Sequence, residues 1–172
     1  LTVDGQANFA NATVSAGTLL GAGVVGLDLT EFTVNLGTFS GAINGTGSLI
    51  KNTDGLLSLS GNNGYTGSTT MNAGSLILSG TLASGAITIN AGTMNALSGS
   101  VLSNATVLTL DGRMNMYNAA VGIDSILGSG LLNLDTTELT LNSGTFSGAI
   151  NGTGSLVKVS ADILTLSGAS GY

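Results

Sequence analysis

The stretch GTFSGAINGTGSL occupies residues 37–49 and recurs without a single change at residues 144–156. Working outward from this block, residues 1–65 align without a gap on residues 108–172, and 37 of those 65 positions are identical. Residues 66–107 occur once, so the chain of 172 residues holds about 1.6 copies of a 107-residue unit. Self-similarity of this kind indicates a fold in which repeated segments stack on one another.

A finer rhythm lies inside the unit, where a small residue and a glycine are followed by a hydrophobic residue. Glycine at such points favours a turn. The marks are AGTL at Ala16, AGSL at Ala73, AGTM at Ala91, DGRM at Asp111 and SGTF at Ser143. They usually recur after roughly 20 residues, in the range of β-helix turns, and one step, from Gly5 to Gly17, is much shorter. This spacing predicts about five coils per repeat unit.

Between the corners, apolar residues alternate with Thr, Ser or Asn. The segments AITIN at residues 86–90 and TVLTL at residues 106–110 are typical. A period of two with β-branched residues predicts strands, and no segment keeps a 3.6-residue period over the ~11 residues that a helix needs. The sequence therefore predicts an all-β fold, with residues 1–172 forming one parallel β-helix, or β-solenoid, of roughly eight coils.

The composition excludes several kinds of chemistry. Charged residues make up 7% of the chain and the net charge is −6, whereas soluble domains average about 25% charged residues. The absence of Cys and His removes thiolate chemistry and sites of the zinc or copper type. The three basic residues, Lys51, Arg113 and Lys158, are too few to neutralise a nucleic-acid backbone. We therefore expect no cofactor, no metal and no nucleic-acid partner.

Membrane crossing is also not expected. The uncharged segment at residues 19–27 has about half of the ~20 residues that a membrane helix needs, and it contains three glycines. No membrane span or signal peptide is visible in the sequence.

Two patterns resemble catalytic or cofactor sites. Residues 21–26, GAGVVG, fit a GxGxxG dinucleotide motif, but the copy at residues 128–133, GSGLLN, lacks the third glycine and no helical pattern follows. This favours a solenoid corner over a cofactor loop. We expect no cofactor-binding residue here.

The second pattern is a pair of carboxylates, Asp28 with Glu31, which recurs as Asp135 with Glu138. Glycosidases use two carboxylates in acid–base catalysis. These pairs lie in polar segments that we interpret as solvent-facing strand positions, where charge maintains solubility and discourages edge pairing. No catalytic residue is predicted.

Other residues are expected to shape the turns. Asn44 and Asn151, each followed by Gly-Thr-Gly, are candidates for amide ladders, because stacked coils place like residues about 4.8 Å apart. The accompanying turn candidates are Gly37, Gly47, Gly144 and Gly154.

The aromatic residues and threonines leave two alternatives open. We expect the repeated aromatics to fill or cap the core, with a sugar-stacking face as the alternative; they are Phe32, Phe39, Phe146, Tyr65 and Tyr172. Thr-rich faces are found in ice-binding β-helices, but the uneven corner spacing of this sequence is expected to spoil a regular Thr array.

Residues 41–80, GAINGTGSLIKNTDGLLSLSGNNGYTGSTTMNAGSLILSG, carry a family resemblance, and residues 148–172 begin a second match. The sequence resembles the autotransporter-associated β-strand repeat found in passenger domains of bacterial autotransporters. The matching features are the Gly-rich turn, Leu-x-Lys, Leu-x-Leu-Ser-Gly, Tyr-Thr-Gly and Gly-x-Leu-x-Leu. The resemblance implies a right-handed β-helix on a bacterial surface or secreted from the cell, and implies no particular activity.

These observations predict a non-enzymatic structural β-solenoid of a bacterial cell-surface or secreted protein, acting as an adhesin stalk or as a self-associating extracellular filament segment. The expected partners are the chain itself, joined head to tail through its end coils, the neighbouring coils of a longer chain, or host or cell-surface glycans. The alternative is a carbohydrate-binding or carbohydrate-active β-helix. Three or more carboxylates converging on adjacent coils would favour that alternative.

Overall fold

A computed structural model describes residues 1–10, 12–118 and 120–172. Over these residues the chain forms 25 β-strands and no helix, and every strand pairing is parallel. The prediction of an all-β fold built from stacked parallel strands is confirmed.

The strands lie in three stacks, which we name faces A, B and C, and the chain visits them in the order C, A, B. The long strands β2 (Thr13–Gly21) and β4 (Glu31–Phe39) pass from face A to face B, so that their two halves belong to different faces. Face A continues with β6 (Ser48–Lys51), β9 (Ser68–Met71), β12 (Ala86–Ile89), β15 (Val107–Leu110), β18 (Ser125–Gly128), β21 (Ser143–Phe146) and β24 (Leu164–Leu166).

Face B is continued by β7 (Leu56–Leu59), β10 (Ser75–Leu78), β13 (Thr93–Ala96), β16 (Arg113–Met116), β19 (Leu131–Asn133), β22 (Ala149–Asn151) and β25 (Ser170–Gly171). Face C holds β1 (Gln6–Asn8), β3 (Val24–Gly26), β5 (Ala42–Asn44), β8 (Asn62–Asn63), β11 (Thr81–Leu82), β14 (Val101–Leu102), β17 (Ala120–Gly122), β20 (Glu138–Leu141) and β23 (Ser155–Lys158). Each face therefore carries nine strand positions over the described residues.

The solenoid has about nine turns, close to the roughly eight coils expected. At about 4.8 Å per turn its length is about 40 Å. The turns differ slightly in length: a short one leads from Glu31 to its partner Ser48, and a longer one leads from Ala86 to its partner Val107. The short step between Gly5 and Gly17 is two thirds of a turn, because Gly5 precedes face C and Gly17 lies where β2 passes from face A to face B.

Alternating side chains point inward and form continuous hydrophobic columns along the axis. On face B, Leu57, Leu76, Met94, Met114 and Leu132 lie in register in five successive turns and are all buried. Burying one such side chain contributes about 1.5–3 kcal/mol. The alternation of the sequence therefore folds into a single core that extends along the whole solenoid.

Equivalent residues of the two copies of the repeat lie on different faces. Gly37 belongs to the second strand position of face B, whereas Gly144 belongs to the eighth strand position of face A. This is 17 strand positions further along a path with three positions per turn, so the repeat unit advances by five and two-thirds turns. The second copy is therefore rotated by one face relative to the first, and the expectation of about five coils per unit was slightly too low.

Candidate functional surfaces

The repeated Asp-x-Thr corners are built by backbone hydrogen bonds. Asp28 has a φ of 37°, and its carbonyl accepts hydrogen bonds from the backbone N–H of Thr46 at 2.8 Å and from the Thr46 hydroxyl at 2.6 Å. Asp135 has a φ of 47° and is bonded in the same way by Thr153. Aspartate is one of the few residues that tolerate this left-handed conformation. The corner geometry is thus retained although the two copies lie on different faces.

This geometry revises the interpretation of the carboxylate pairs. Asp28 lies in the turn before β4 rather than on a strand, and Glu31 is the first residue of β4; both are exposed. Asp135 and Glu138 repeat the arrangement before β20. Among the described residues, no three acidic side chains come close enough to hold a metal ion.

The GxGxxG pattern of residues 21–26 spans the end of β2 and strand β3, and the segment that follows enters another strand, β4. A dinucleotide motif needs a helix N-terminus to receive the phosphates. The structure therefore agrees with the interpretation of this pattern as a solenoid corner.

The glycines singled out in the repeated block lie against the backbone of the preceding turn. At Gly37, with a φ of +138°, a Cβ atom would lie 2.0 Å from the carbonyl oxygen of Leu19. Gly144, with a φ of +145°, has the same distance to the carbonyl oxygen of Ile126. A Cβ on Gly47 would lie 2.2 Å from the carbonyl oxygen of Thr30, and a Cβ on Gly154 would lie 2.1 Å from that of Thr137. The structural role of these glycines stays a prediction.

The two asparagines singled out lie in different surroundings. Asn44 is opposite Gly26 in the sheet, and its side-chain oxygen would lie 2.9 Å from a Cβ built on Gly64. Asn151 is in register with Asn133 on face B. Asn44 and Asn151 lie more than five turns apart and on different faces, so they do not stack on each other, and their ladder role stays a prediction.

Asparagine ladders are present at other positions. On face B, the side-chain amide of Asn115 donates to Asn95 at 2.8 Å, and that of Asn133 donates to Asn115 at 2.6 Å. A second ladder joins the side chains of Asn52, Asn72 and Asn90 at a corner, at 2.6 and 2.7 Å. The sequence signal that could have located them is asparagine recurring at the spacing of one turn.

Lys51 is a buried cation in the wall of the solenoid. It is 2% exposed and occupies an inward position in register with Met71. Its ammonium group donates to the carbonyl oxygens of Thr53 at 2.6 Å and Ala73 at 3.2 Å. Burial lowers the pKa of Lys51, and the nearby charge of Asp54 partly opposes this change. Lys158, its counterpart in the second copy, donates to the carbonyl of Ser160 but is exposed.

Most of the repeated aromatic residues belong to the core. Phe32, Phe39, Phe146 and Tyr65 are fully buried or nearly so, as we expected, and Tyr172 is exposed. The hydroxyls of Tyr65 and Thr69 share a hydrogen bond of 2.6 Å, and burial raises the pKa of Tyr65. These four rings are inaccessible to a ligand, so they do not form a sugar-stacking face.

Face C carries a groove of about 430 Å³. Its walls combine small and apolar residues with amide and hydroxyl groups, and its lining includes Asn104, Gly122, Ile123, Thr140 and Asn142. The side-chain amide of Asn142 donates to the carboxylate of Asp124 at 3.0 Å. The groove has the volume of a small-molecule site and is almost free of charge.

Over residues 1–10, 12–118 and 120–172, no helix is long and apolar enough to span a bilayer.

A 72-residue part of the chain is 42% identical to a protein named "Adhesin BmaC autotransporter" from Brucella suis biovar 1 (strain 1330). The match covers 41% of this chain and 2% of that protein, so the chain corresponds to a small part of its relative. No family model matches the sequence, and no solved structure matches it. The similarity and the β-solenoid fold are together consistent with the passenger part of an autotransporter; the assignment to one repeat family and the right-handed sense of the helix stay predictions.

Proposed function

We propose that this chain is a non-enzymatic structural segment of a bacterial cell-surface or secreted protein, where it acts as an adhesin stalk. The observation that supports this most directly is the solenoid of about nine turns formed by the described residues, together with the similarity of part of the chain to an autotransporter adhesin. The function of such a segment is to extend and to display whatever it carries.

The physical basis of a stalk is the way in which each internal turn is held. Every internal turn forms parallel hydrogen bonds to the turns before and after it, and hydrophobic columns run through all of them. Stability in such a fold is approximately a sum of local contributions, so it does not depend on one end meeting the other. A protein of this kind gains length by adding turns, without any new type of contact.

The experiment that tests the stalk role is negative-stain electron microscopy of the purified chain at several concentrations, combined with light scattering. We expect monomeric rods about 40 Å long at all concentrations. A compact globular particle would contradict the proposal. In a second test, a tandem fusion of two chains should form a rod of roughly twice that length.

Self-association is the second form of the proposal, and it is favoured by exposed apolar side chains near the last turn. Val159 is 59% exposed and Ile163 is 80% exposed. Unpaired strand edges beside apolar groups promote association between chains, and head-to-tail contacts that do not close produce filaments. Filaments of uniform width at high concentration, lost in the variant Ile163→Lys but retained in the mid-chain surface variant Thr93→Lys, would support a filament role over a simple stalk.

A glycan-binding role is favoured by the groove on face C. Its amide and hydroxyl groups are the kind that bind sugar hydroxyls, and its volume of about 430 Å³ accommodates a small saccharide. The test is binding of the purified chain to an array of neutral bacterial and host glycans. A bound glycan should be lost when Ala120→Phe fills the groove and retained when Ala42→Phe changes face C four turns away. Binding that is unaffected by Ala120→Phe would exclude the groove.

A further inference from the structure

The outer surface of face A carries a column of threonines. Thr70, Thr88 and Thr109 lie directly opposite one another on the consecutive strands β9, β12 and β15. After Leu127, which is in register with Thr109, the column continues with Thr145 and Thr165. Five of these six successive outward positions are therefore threonine.

The column is regular although the turns differ in length. The turn from Thr70 to Thr88 is shorter than the turn from Thr88 to Thr109, yet all three residues keep the same register. The extra residues are accommodated in the corners between the faces, because the parallel hydrogen-bond pattern fixes the strands themselves. The expectation that uneven corner spacing would spoil a Thr array was therefore wrong.

The hydroxyls of this column are available to solvent. Within the described part of the chain, the hydroxyls of Thr70, Thr88 and Thr109 form no hydrogen bond to another protein group, and these side chains are half-buried. Thr106 and Thr137, by contrast, are buried in corners and donate to backbone carbonyls at 2.7–2.8 Å. Face A thus presents Thr70, Thr88 and Thr109 outward without using their hydroxyls for internal bonding.

On one side of the column the outward positions are small and uncharged, whereas on the other side Asn72, Asn90 and the exposed Asp111 follow the strands at the corner. The outward neighbours of the three threonines on their own strands are Ser68, Ala86 and Val107. From β6 to β21, no outward position of face A carries a charge. Over β9, β12 and β15 the face therefore presents hydroxyl, methyl and small groups that repeat about every 4.8 Å along the axis and about every 6.7 Å across it.

We propose that face A binds ice. Ice is a ligand that repeats in two dimensions, so a periodic array of anchors gains affinity with each further row that matches it. The Thr hydroxyls supply hydrogen bonds to ordered water, and the adjoining methyl groups restrict the orientations that this water adopts. Charged groups would instead hold their own hydration shells. This inference uses a different surface from the groove on face C and does not depend on the stalk role.

The test measures inhibition of ice recrystallisation and thermal hysteresis by the purified chain, with Thr88→Tyr as the variant and Thr93→Tyr as its control. Both residues are outward and half-buried on central strands, Thr88 on face A and Thr93 on face B. The control therefore adds the same ring to the same region of the solenoid. Circular dichroism and the thermal midpoint of each variant establish that the fold is retained.

We expect the unmodified chain to inhibit recrystallisation. Thr88→Tyr should raise the half-maximal concentration by about tenfold or more, which corresponds to a loss of about 1.4 kcal/mol of binding. Thr93→Tyr should stay within about twofold of the unmodified chain. The proposal is overturned if the unmodified chain has no activity, if both folded variants lose activity equally, or if only Thr93→Tyr does.

Discussion

At the scale of single residues, the repeated block is constrained most strongly where one turn touches the backbone of the turn before it. Gly37 combines a φ of +138° with a distance of 2.0 Å between an added Cβ and the carbonyl oxygen of Leu19. We expect Gly37→Ala to lower the free energy of unfolding by about 2–4 kcal/mol, from backbone strain and displacement of the neighbouring strand. Denaturant unfolding measures this change.

The control for this prediction is Gly5→Ala, because nothing lies within 4 Å of a Cβ built on Gly5. We expect it to change the stability by no more than about 0.5 kcal/mol. Equal losses in the two variants would show that the close approach at Gly37 does not determine its identity.

The buried Lys51 predicts a pH dependence of stability. Burial lowers its pKa below the ordinary value of 10.5, so between the lowered value and 10.5 the unfolded chain binds more protons than the folded chain. Stability therefore rises with pH in this window, because folding no longer requires a buried ammonium group. We expect the free energy of unfolding of the unmodified chain, relative to that of Lys51→Met, to increase from pH 7 toward pH 10.5.

Taking this difference removes the opposite effect of Tyr65. The pKa of Tyr65 is raised from an ordinary value of 10.0, which lowers stability as pH rises above that value, but it does so in both proteins. Urea unfolding at a series of pH values provides the measurement. A difference that stays constant over the whole range would contradict the burial of a protonated Lys51.

At the scale of the structural element, hydrogen-bonded side-chain ladders reinforce the backbone pairing of adjacent turns. Asn115 lies at the centre of one ladder and takes part in two side-chain hydrogen bonds, at 2.8 and 2.6 Å. We expect Asn115→Ala to cost about 1–2 kcal/mol, since a typical hydrogen bond contributes about 0.5–1.5 kcal/mol. Thermal or denaturant unfolding measures this loss.

The matched variant is Asn44→Ala, because the Asn44 side chain has no hydrogen bond within the described part of the chain. We expect it to change stability by less than about 0.5 kcal/mol. A loss at Asn44 as large as that at Asn115 would show that the hydrogen bonds between turns are not what these asparagines contribute.

The same ladders separate the features that the sequence predicts from those that it does not. The alternation in segments such as residues 86–90 was sufficient to predict strands, and the repeat was sufficient to predict stacking, because both follow from local periodicity. Register was not predictable in this way. Corners of different length hide which residues become neighbours, so the ladder through Asn115 and the column through Thr88 emerged only from the strand pairing.

At the scale of the whole molecule, the rotation of the repeat shows that the three faces are equivalent in backbone geometry. The same block of sequence begins on face B in its first copy and on face A in its second, and both copies keep their corner conformations. The repeat is thus defined by strand positions rather than by complete turns. A tandem series of such units would present each surface feature on the three faces in succession.

Although the faces share a backbone geometry, each inward column is continuous only along its own face, so a complete turn is the unit that the core requires. Deletion of residues 75–92 removes one such turn, the strands β10, β11 and β12, and joins Gly74 to Thr93. Face B then continues directly from β7 to β13, and faces A and C also remain in order. We expect this variant to keep its β-sheet circular dichroism and to unfold cooperatively at a lower temperature, because it loses about one turn of stacking.

Deletion of residues 81–92 is the matched control, since it removes only two strands, β11 and β12, and places β13 of face B directly after β10 of the same face. The inward columns then fail to meet the turns on either side, so this shorter deletion should abolish cooperative unfolding. If the shorter deletion were tolerated as well as the longer one, complete turns would not be the unit of the fold.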